Sequence, residues 1–380
     1  MSKLVAAGRT AGLIGAWVGL ATAGAAVGFA TERYVMGRSL RADDPYADEP
    51  FGSLRGTPHT VVTDDDVRLH VEVDEPERGS AGRGTEPRLT IVFCHGYALT
   101  QDSWHFQRRD LRGTDRLVFW DQRSHGRSGR APDGSVSLER LAADLGQVVD
   151  AVAPKGPVVL VGHSMGGMTV MALADARPEL FGDRIVGVGL VATSAYGLDS
   201  TPLGLPGPLG RLANRAAPGV VAALARRPEM VERGRRAGSD LGYVLTRRYS
   251  FAAGGSPTLV EFTALMNAAT PIDVVAAFLP LFGELDTRGA LPALATVPIL
   301  VVAAEKDLLT PVEHGRELAE SLPDVDYVEV ADSGHMVLLE QHDIVTEHLR
   351  TLVERARSRV PRRRLSTKVR AAARPKRRRP

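Results

Sequence analysis

The chain has 380 residues, of which 44% are hydrophobic and 24% charged, proportions that allow a sizeable globular core. The single cysteine, Cys94, excludes an internal disulfide framework, and no Cys/His cluster has the spacing of a zinc site. Residues 355–380 contain 13 of the 47 Lys and Arg residues and none of the 45 acidic residues. Residues 1–354 are therefore acidic, and a basic tail follows them.

An uncharged stretch of 22 residues, rich in Ala, Gly, Leu and Val, separates Arg9 from Glu32. As a helix it would extend about 33 Å, enough to cross the hydrocarbon core of a membrane. A signal peptide is the main alternative, since Lys3 and Arg9 form a basic start and small residues at 21–25 offer cleavage sites. We expect residues 1–40 to be an N-terminal transmembrane anchor or signal segment, with membrane contact through residues 10–31.

The protein is then either membrane-anchored by a single N-terminal helix or exported. Basic residues flank the uncharged stretch on both sides, so the charge distribution leaves the side of the membrane open. Residues 41–57, which follow, are predicted to be a polar linker.

From about His59 onwards, short apolar runs alternate with segments of helical spacing. The first two runs, HTVVT and VRLHVEV, alternate with period two, which is typical of an antiparallel hairpin at a sheet edge. Six further runs are rich in Val, Ile and Leu: LTIVFCH, RLVFWD, VVLVGH, RIVGVGLVA, PILVVAA and DYVEVA. This pattern indicates an α/β fold with a mainly parallel, eight-stranded sheet and helices on both faces.

Between residues 198 and 286 no run is typical of a strand, and a Pro/Gly-rich loop, TPLGLPGPLG, leads into several helical segments. We interpret this interval as a helical cap inserted between a first part of the core (58–197) and a second part (287–355). Apolar faces in VVAALA, FTALMNAA and VVAAFLPLF either shape a pocket for a hydrophobic substrate or pack on the core.

The basic tail, residues 356–380, is too polar to pack and is predicted to be disordered. Anionic lipid headgroups are one candidate partner, if the leaflet faces the same side as the domain. The acidic body and the lack of a base-reading module argue against nucleic acid. A solvated tail without a partner is the alternative.

The run VVLVGH ends in Gly162-His163-Ser164-Met165-Gly166, where a predicted strand gives way to a helix. A serine in a tight strand-to-helix turn exposes its hydroxyl at the end of the sheet, and the flanking glycines avoid clashes in that turn. The N-terminus of the following helix favours negative charge at the same point. The placement predicts that Ser164 is a nucleophile.

A serine nucleophile needs a base, and in this kind of turn the chain order is serine, acid, histidine. His335 follows the strand DYVEVA in a loop and is the candidate base. Of the other downstream histidines, His314 lies early in a predicted helix, whereas His342 and His348 lie in a helical segment that we expect at the surface.

The candidate acid is Asp307, just beyond the buried strand PILVVAA and ahead of a helix that begins near Pro311. Glu305 in the same loop and Asp199 after an earlier strand are alternatives. An acid in this role orients the histidine and stabilises its protonated form.

The oxyanion that forms when Ser164 attacks a carbonyl needs fixed hydrogen-bond donors. One donor is expected to be the backbone N–H of Met165, the residue after the nucleophile. The other is expected to be the N–H of Tyr97, in the loop where Gly96 gives the backbone room to turn. His95 is expected to organise this loop by hydrogen bonding.

These residues together resemble the α/β-hydrolase family, and within it the capped, serine-nucleophile enzymes of the lipase/esterase kind. The resemblance covers about residues 58–355 and rests on FCHGYALTQDSW, WDQRSHGRSG, VGHSMGGM, PILVVAAEKDLLTP and VADSGH, in the family's order. It implies an α/β-hydrolase sheet with a helical cap insertion and a triad of Ser164, His335 and Asp307. The implied activity is cleavage of a carboxylic ester, or a related acyl bond, of a hydrophobic small molecule through an acyl-enzyme, with no metal or organic cofactor.

Two positions depart from the family pattern, Ser124 and Ala304, where the family usually has glycine. Ser164 counts against epoxide hydrolases and haloalkane dehalogenases, which carry aspartate at the nucleophile position. Cofactorless haloperoxidase-like enzymes and some carbon–carbon-bond hydrolases share the same triad and stay as alternatives. A non-catalytic binding protein on the same fold is a third.

Overall fold

The computed structural model describes residues 44–77, 89–131, 134, 136–198 and 239–360. The predicted anchor or signal segment with residues 10–31, the first part of the predicted cap with Asp199, and residues 361–380 of the tail lie outside the described residues. Within the described ranges, no single helix is long and apolar enough to cross a membrane. Two consecutive helices of the cap interval, bent by 99° at their junction, meet that criterion only as a pair.

Eight strands form one sheet, and each coincides with one of the eight apolar runs. Their bounds are Thr57–Val62 (β1), Arg68–Asp74 (β2), Thr90–Cys94 (β3), Arg116–Trp120 (β4), Val158–His163 (β5), Ile185–Val191 (β6), Ile299–Ala304 (β7) and Val325–Val330 (β8). The strand order is β1-β2-β4-β3-β5-β6-β7-β8. Only β1·β2 and β2·β4 pair antiparallel. The predicted mainly parallel eight-stranded α/β sheet, with its hairpin at the edge, is therefore confirmed.

Helices cover both faces of this sheet. The helices of the described residues are His105–Leu111 (α1), Leu138–Val152 (α2), Met165–Ala176 (α3), Ser239–Ser250 (α4), Pro257–Ala269 (α5), Ile272–Gly283 (α6), Leu291–Leu294 (α7), Val312–Glu320 (α8), Val337–Glu340 (α9) and His342–Arg359 (α10). Neighbouring residues of β3 point into different cores, since Val92 packs in one apolar cluster and Phe93 in another. The first cluster includes residues of α2 and α3, and the second includes residues of α1 and α10.

The described part of the predicted cap interval consists of the three helices α4, α5 and α6. Its two ends meet at the sheet, because Tyr196 and Asp286 form an antiparallel bridge and the Thr287 N–H donates to the Ala195 carbonyl at 2.8 Å. The chain therefore leaves the sheet after β6 and returns to it at the same place before β7.

Residues 44–56, which we predicted to belong to a polar linker, pack against the rest of the protein. The Phe51 ring stacks on Phe262 of α5 with the ring centroids 4.6 Å apart. The Asp44 carboxylate accepts hydrogen bonds from both the N–H (3.0 Å) and the hydroxyl (2.7 Å) of Thr258 at the start of α5. The polar composition concealed this packing because a few aromatic and capping residues anchor the whole segment.

The last helix, α10, also runs past the predicted start of the tail at residue 356. Ala356 is fully buried, and the Arg357 guanidinium lies 2.6 Å from the Asp115 carboxylate. The first arginines of the basic run are therefore part of the folded domain, because they pair with acidic groups of the core.

Two glycines let the backbone approach itself closely around Ser164. A Cβ atom added to Gly162 would overlap the Gly166 carbonyl, and one added to Gly166 would overlap the Cys94 carbonyl. Since the colliding atoms belong to the backbone, no side-chain rotation can relieve either overlap. Helix α3 can lie this close to β3 only with glycine at position 166, and its first turn can lie this close to the end of β5 only with glycine at position 162.

We expect Gly166→Ala to lower the free energy of unfolding by about 3 kcal/mol, because a strand and a helix must separate to admit the methyl group. Gly242→Ala is the matched control, since a Cβ on this exposed residue of α4 would meet no atom within 4 Å. The control should raise stability by about 0.5–1 kcal/mol, because alanine favours helix. Urea unfolding measures both variants, and equal midpoints would contradict the close-approach argument.

Candidate active site

Ser164 lies between β5 and α3, in a backbone conformation that side chains rarely adopt. Its φ of +52° and ψ of −121° place it in the positive-φ region, which costs free energy for a residue other than glycine. The surrounding structure holds this conformation, because the Ser164 N–H donates to the Val191 carbonyl at 3.0 Å. The Ser164 carbonyl in turn accepts from the N–H of Gly167 at 2.8 Å. The result is a serine presented at the carboxyl end of the sheet.

His335 and Asp307 meet although 28 positions separate them in the chain. The Nδ1 atom of His335 lies 2.8 Å from Oδ2 of Asp307, and both side chains are almost completely buried. Such a pair holds the proton of the neutral imidazole on Nδ1 and leaves Nε2 as the basic nitrogen.

Three donors from the following turn fix the Asp307 carboxylate. The N–H groups of Leu309 and Thr310 donate to Oδ1 at 2.8 and 2.9 Å, and the Thr310 hydroxyl donates to Oδ2 at 2.7 Å. The Thr310 hydroxyl also lies 3.4 Å from Nδ1 of His335. Sequence analysis missed Thr310, although its position three residues after the acid and just before Pro311 is a turn signal that could have indicated it.

The other candidate groups lie elsewhere. Glu305 is exposed and pairs with Lys306 at 2.6 Å. His314 contacts the Ser194 hydroxyl at 3.0 Å. The expectation that His342 lies at the surface was wrong, because its ring stacks on Phe106 with centroids 3.8 Å apart.

Residues 331–336, which we call the histidine loop because they contain His335, are joined to Ser164 through His163. Its Nε2 atom lies 2.9 Å from the carbonyl oxygen of His335, and the two imidazole rings are 4.9 Å apart between centroids. The Ser164 hydroxyl forms no hydrogen bond to another described residue. Contacts between nucleophile and base often tighten only when substrate binds.

The loop with the expected oxyanion donors passes directly over the nucleophile. A Cβ atom added to Gly96 would lie 3.2 Å from Ser164 Cβ and 2.9 Å from Nδ1 of His163. Tyr97 is the next residue in this loop, and Met165 begins α3 on the other side of Ser164. Neither the Tyr97 N–H nor the Met165 N–H donates to an acceptor among the described residues, so both can donate to a ligand atom.

Two buried histidines shape this loop. His95 lies 2.7 Å from the Gly96 carbonyl through Nδ1, and its Nε2 accepts from the Gln122 N–H at 2.9 Å. His125 Nε2 accepts from the N–H of Ala98 at 3.2 Å, and Ala98 has a positive φ of +54°. Burial lowers the pKa of His95 to about 4 and that of His125 to about 3. Both rings are therefore neutral at pH 7 and act as hydrogen-bonding groups.

Helix α6 covers the same loop with apolar side chains. The Tyr97 hydroxyl donates to the Val275 carbonyl at 2.6 Å, and the Tyr97 ring packs against Phe278 and Phe282. Phe278 also packs in one apolar cluster with Met165. Apolar side chains of α6 therefore cover the part of the site that holds both expected oxyanion donors.

A family model described as the alpha/beta hydrolase family matches residues 91–348. The matched span exceeds half of the chain and contains Ser164, Asp307 and His335. The chain belongs to the α/β-hydrolase family.

This α/β hydrolase is 27% identical over 270 residues to a monoacylglycerol lipase of Mycolicibacterium smegmatis, an alignment that covers 68% of this chain and 82% of the relative. It is similar to the structure of a thermophilic esterase from Thermogutta terrifontis, with a TM-score of 0.60 and 25% identity over 79% of this chain and 99% of that one. An enol-lactonase from Burkholderia xenovorans LB400 gives the same score and identity, over 78% of this chain and 100% of that one. The comparisons support a hydrolase in general.

We expect acid to destabilise the protein partly through His125. The pKa of this histidine falls from 6.5 to about 3 on folding, so below pH 6.5 the unfolded chain takes up a proton that the folded chain excludes. The free energy of unfolding should therefore decrease as the pH falls from about 6.5 towards 3, by up to about 1.4 kcal/mol per pH unit for one such group. His125→Gln keeps an acceptor for Ala98 without this proton, and its stability should depend less on pH in urea titrations. Equal slopes in the two proteins would contradict the prediction.

Proposed function

We propose that this protein is a serine hydrolase that cleaves a carboxylic ester, or a related acyl bond, of a hydrophobic small molecule. The observation that carries the proposal is the strained Ser164 after β5, with the His335–Asp307 pair at 2.8 Å in the loops after β7 and β8 at the same edge of the sheet. The backbone N–H groups of Tyr97 and Met165 have no acceptor among the described residues. Lipase and esterase names among the similar proteins support the same reaction class.

In the first half-reaction, Ser164 Oγ attacks the carbonyl carbon of the ester while its proton passes to Nε2 of His335. The carbonyl oxygen becomes an oxyanion and accepts hydrogen bonds from the N–H groups of Tyr97 and Met165. The Asp307 carboxylate orients His335 and stabilises the imidazolium. His335 then gives its proton to the leaving oxygen, which departs as an alcohol and leaves the acyl group on Ser164.

In the second half-reaction, water attacks the acyl-enzyme while His335 removes its proton. The second oxyanion uses the same two donors. When it collapses, the bond to Ser164 Oγ breaks and His335 returns the proton to the serine. The products are a carboxylic acid and the regenerated enzyme, so no external oxidant or reductant is required.

The apolar surface of α6 supports the proposal of a hydrophobic substrate. Phe278 and Leu281 of α6 pack with Met165 in one cluster, and Phe282 lies at its margin. Burying an apolar acyl or alcohol group against these side chains would favour binding by roughly 25 cal/mol per Å² of buried surface. Short polar esters would forgo that gain.

We expect Ser164→Ala to abolish both labelling by a fluorophosphonate probe and turnover of p-nitrophenyl esters, by at least about 10⁴-fold in kcat, because the acyl acceptor is lost. Ser194→Ala is the matched control: Ser194 is also buried and contacts a histidine, but its hydroxyl donates to the Tyr196 carbonyl. The control should keep labelling. Probe incorporation that persists in Ser164→Ala, or a wild type that neither labels nor hydrolyses any ester, would refute the proposal.

We expect Phe278→Leu to shift substrate preference towards longer acyl chains, because the smaller side chain opens space above the oxyanion donors. The ratio of kcat/KM for long over short p-nitrophenyl esters should rise by about tenfold or more. Leu265→Ala is the control, since Leu265 is 64% exposed on the neighbouring helix α5. An unchanged chain-length profile in Phe278→Leu would place the acyl pocket away from α6.

A further inference from the structure

Glu340 is a partly buried carboxylate that bridges two backbone segments. Its Oε1 atom accepts a hydrogen bond from the N–H of Gly334 at 2.7 Å. Its Oε2 atom accepts from the N–H of Ala252 at 3.0 Å. Gly334 immediately precedes His335, and Ala252 follows the end of helix α4, so one side chain connects the histidine loop to the cap interval.

The same two segments also touch directly. The N–H of Met336 donates to the Ser250 carbonyl at 2.8 Å. A Cβ atom added to Gly334 would lie 2.7 Å from the carbonyl carbon of Phe251, so the two backbones are in contact. Both chain neighbours of His335, Gly334 and Met336, therefore contact residues 250–252.

Two further contacts join the histidine loop to residues at the ends of the sheet strands. His163 contacts the His335 carbonyl at 2.9 Å, and the N–H of Lys306, next to the acid, donates to the Ser333 carbonyl at 2.9 Å. The histidine loop thus lies between the sheet, which carries Ser164 and Asp307, and the cap interval, which Glu340 holds.

Keeping a carboxylate at this position costs free energy. Burial raises the pKa of Glu340, and the nearby charge of Asp307 raises it further, whereas the two N–H donors lower it. A charged group that is shielded from water is tolerated only when such donors compensate it. The donors here are the backbone groups of the two segments that Glu340 joins.

We propose that Glu340 is a positioning residue, which fixes the His335 loop to the end of helix α4 so that the placement of the base depends on the cap interval. This inference rests on the proposed role of His335 as the base. A neutral amide cannot replace the carboxylate, because its NH₂ group would face one of the two N–H donors.

The test uses Glu340→Gln in the full chain, with activity counted per folded molecule. We expect kcat for a p-nitrophenyl ester to fall about tenfold or more while KM changes less than threefold, because the base is displaced and the substrate pocket is kept. Hydrogen exchange should increase together in residues 331–336 and 250–254. Glu340→Asp, which keeps the charge with a shorter reach, should recover part of kcat and remains informative if the glutamine variant folds poorly.

Glu305→Gln is the matched control, since Glu305 also accepts a hydrogen bond from this loop, from the Asp332 N–H at 3.2 Å, but is exposed to solvent. It should change neither kcat nor exchange. An unchanged kcat in Glu340→Gln, or faster exchange in only one of the two segments, would overturn the inference. Hydrogen exchange needs no substrate, so it tests the connection made by Glu340 independently of the proposed reaction. Failure of the hydrolase proposal would instead appear as a lack of activity in the wild type.

Discussion

The close approach of helix α3 to strand β3 is the constraint on which the candidate site depends. Gly166 lets backbone atoms of α3 touch those of β3, and Gly162 lets the end of β5 touch the first turn of α3. The turn between β5 and α3 holds Ser164 in its positive-φ conformation. In the loop after β3, Gly96 lies against Ser164 and Tyr97 follows it, whereas Met165 directly follows Ser164 at the start of α3. If α3 lay farther from β3, the loop after β3 would no longer lie against Ser164.

Burial divides the polar groups of the site into two kinds. The imidazoles of His95 and His125 are so well shielded that their pKa values fall far below neutral, and they serve as fixed hydrogen-bonding groups for the loop. Asp307 is equally buried but receives several N–H and O–H donors, the arrangement that stabilises a charged carboxylate. The same buried surroundings thus keep the two imidazoles neutral and supply the Asp307 carboxylate with hydrogen-bond donors.

The cap interval contributes to the site as well as covering it. The Tyr97 hydroxyl is bound to α6, and the histidine loop is bound to the end of α4. Residues 44–56 add a third attachment, because Asp44 and Phe51 contact α5. Because each cap helix touches a different loop or segment, a shift of this region would alter both the apolar surface of α6 and the positions of Tyr97 and the histidine loop.

The sequence alone determined the eight strands and the strand-to-helix turn at Ser164, because periodicity, apolar runs and turn residues are local signals. The α/β-hydrolase family entered as a resemblance of five sequence motifs. The sequence also placed the candidate base His335 and the candidate acid Asp307 at strand ends, with Glu305 and Asp199 as alternatives for the acid. Only the tertiary structure revealed the contact between Asp307 and His335, the contribution of Thr310, and the burial of His342. It also revealed that residues 44–56 pack on the domain. These features depend on contacts between distant parts of the chain, which no local pattern encodes.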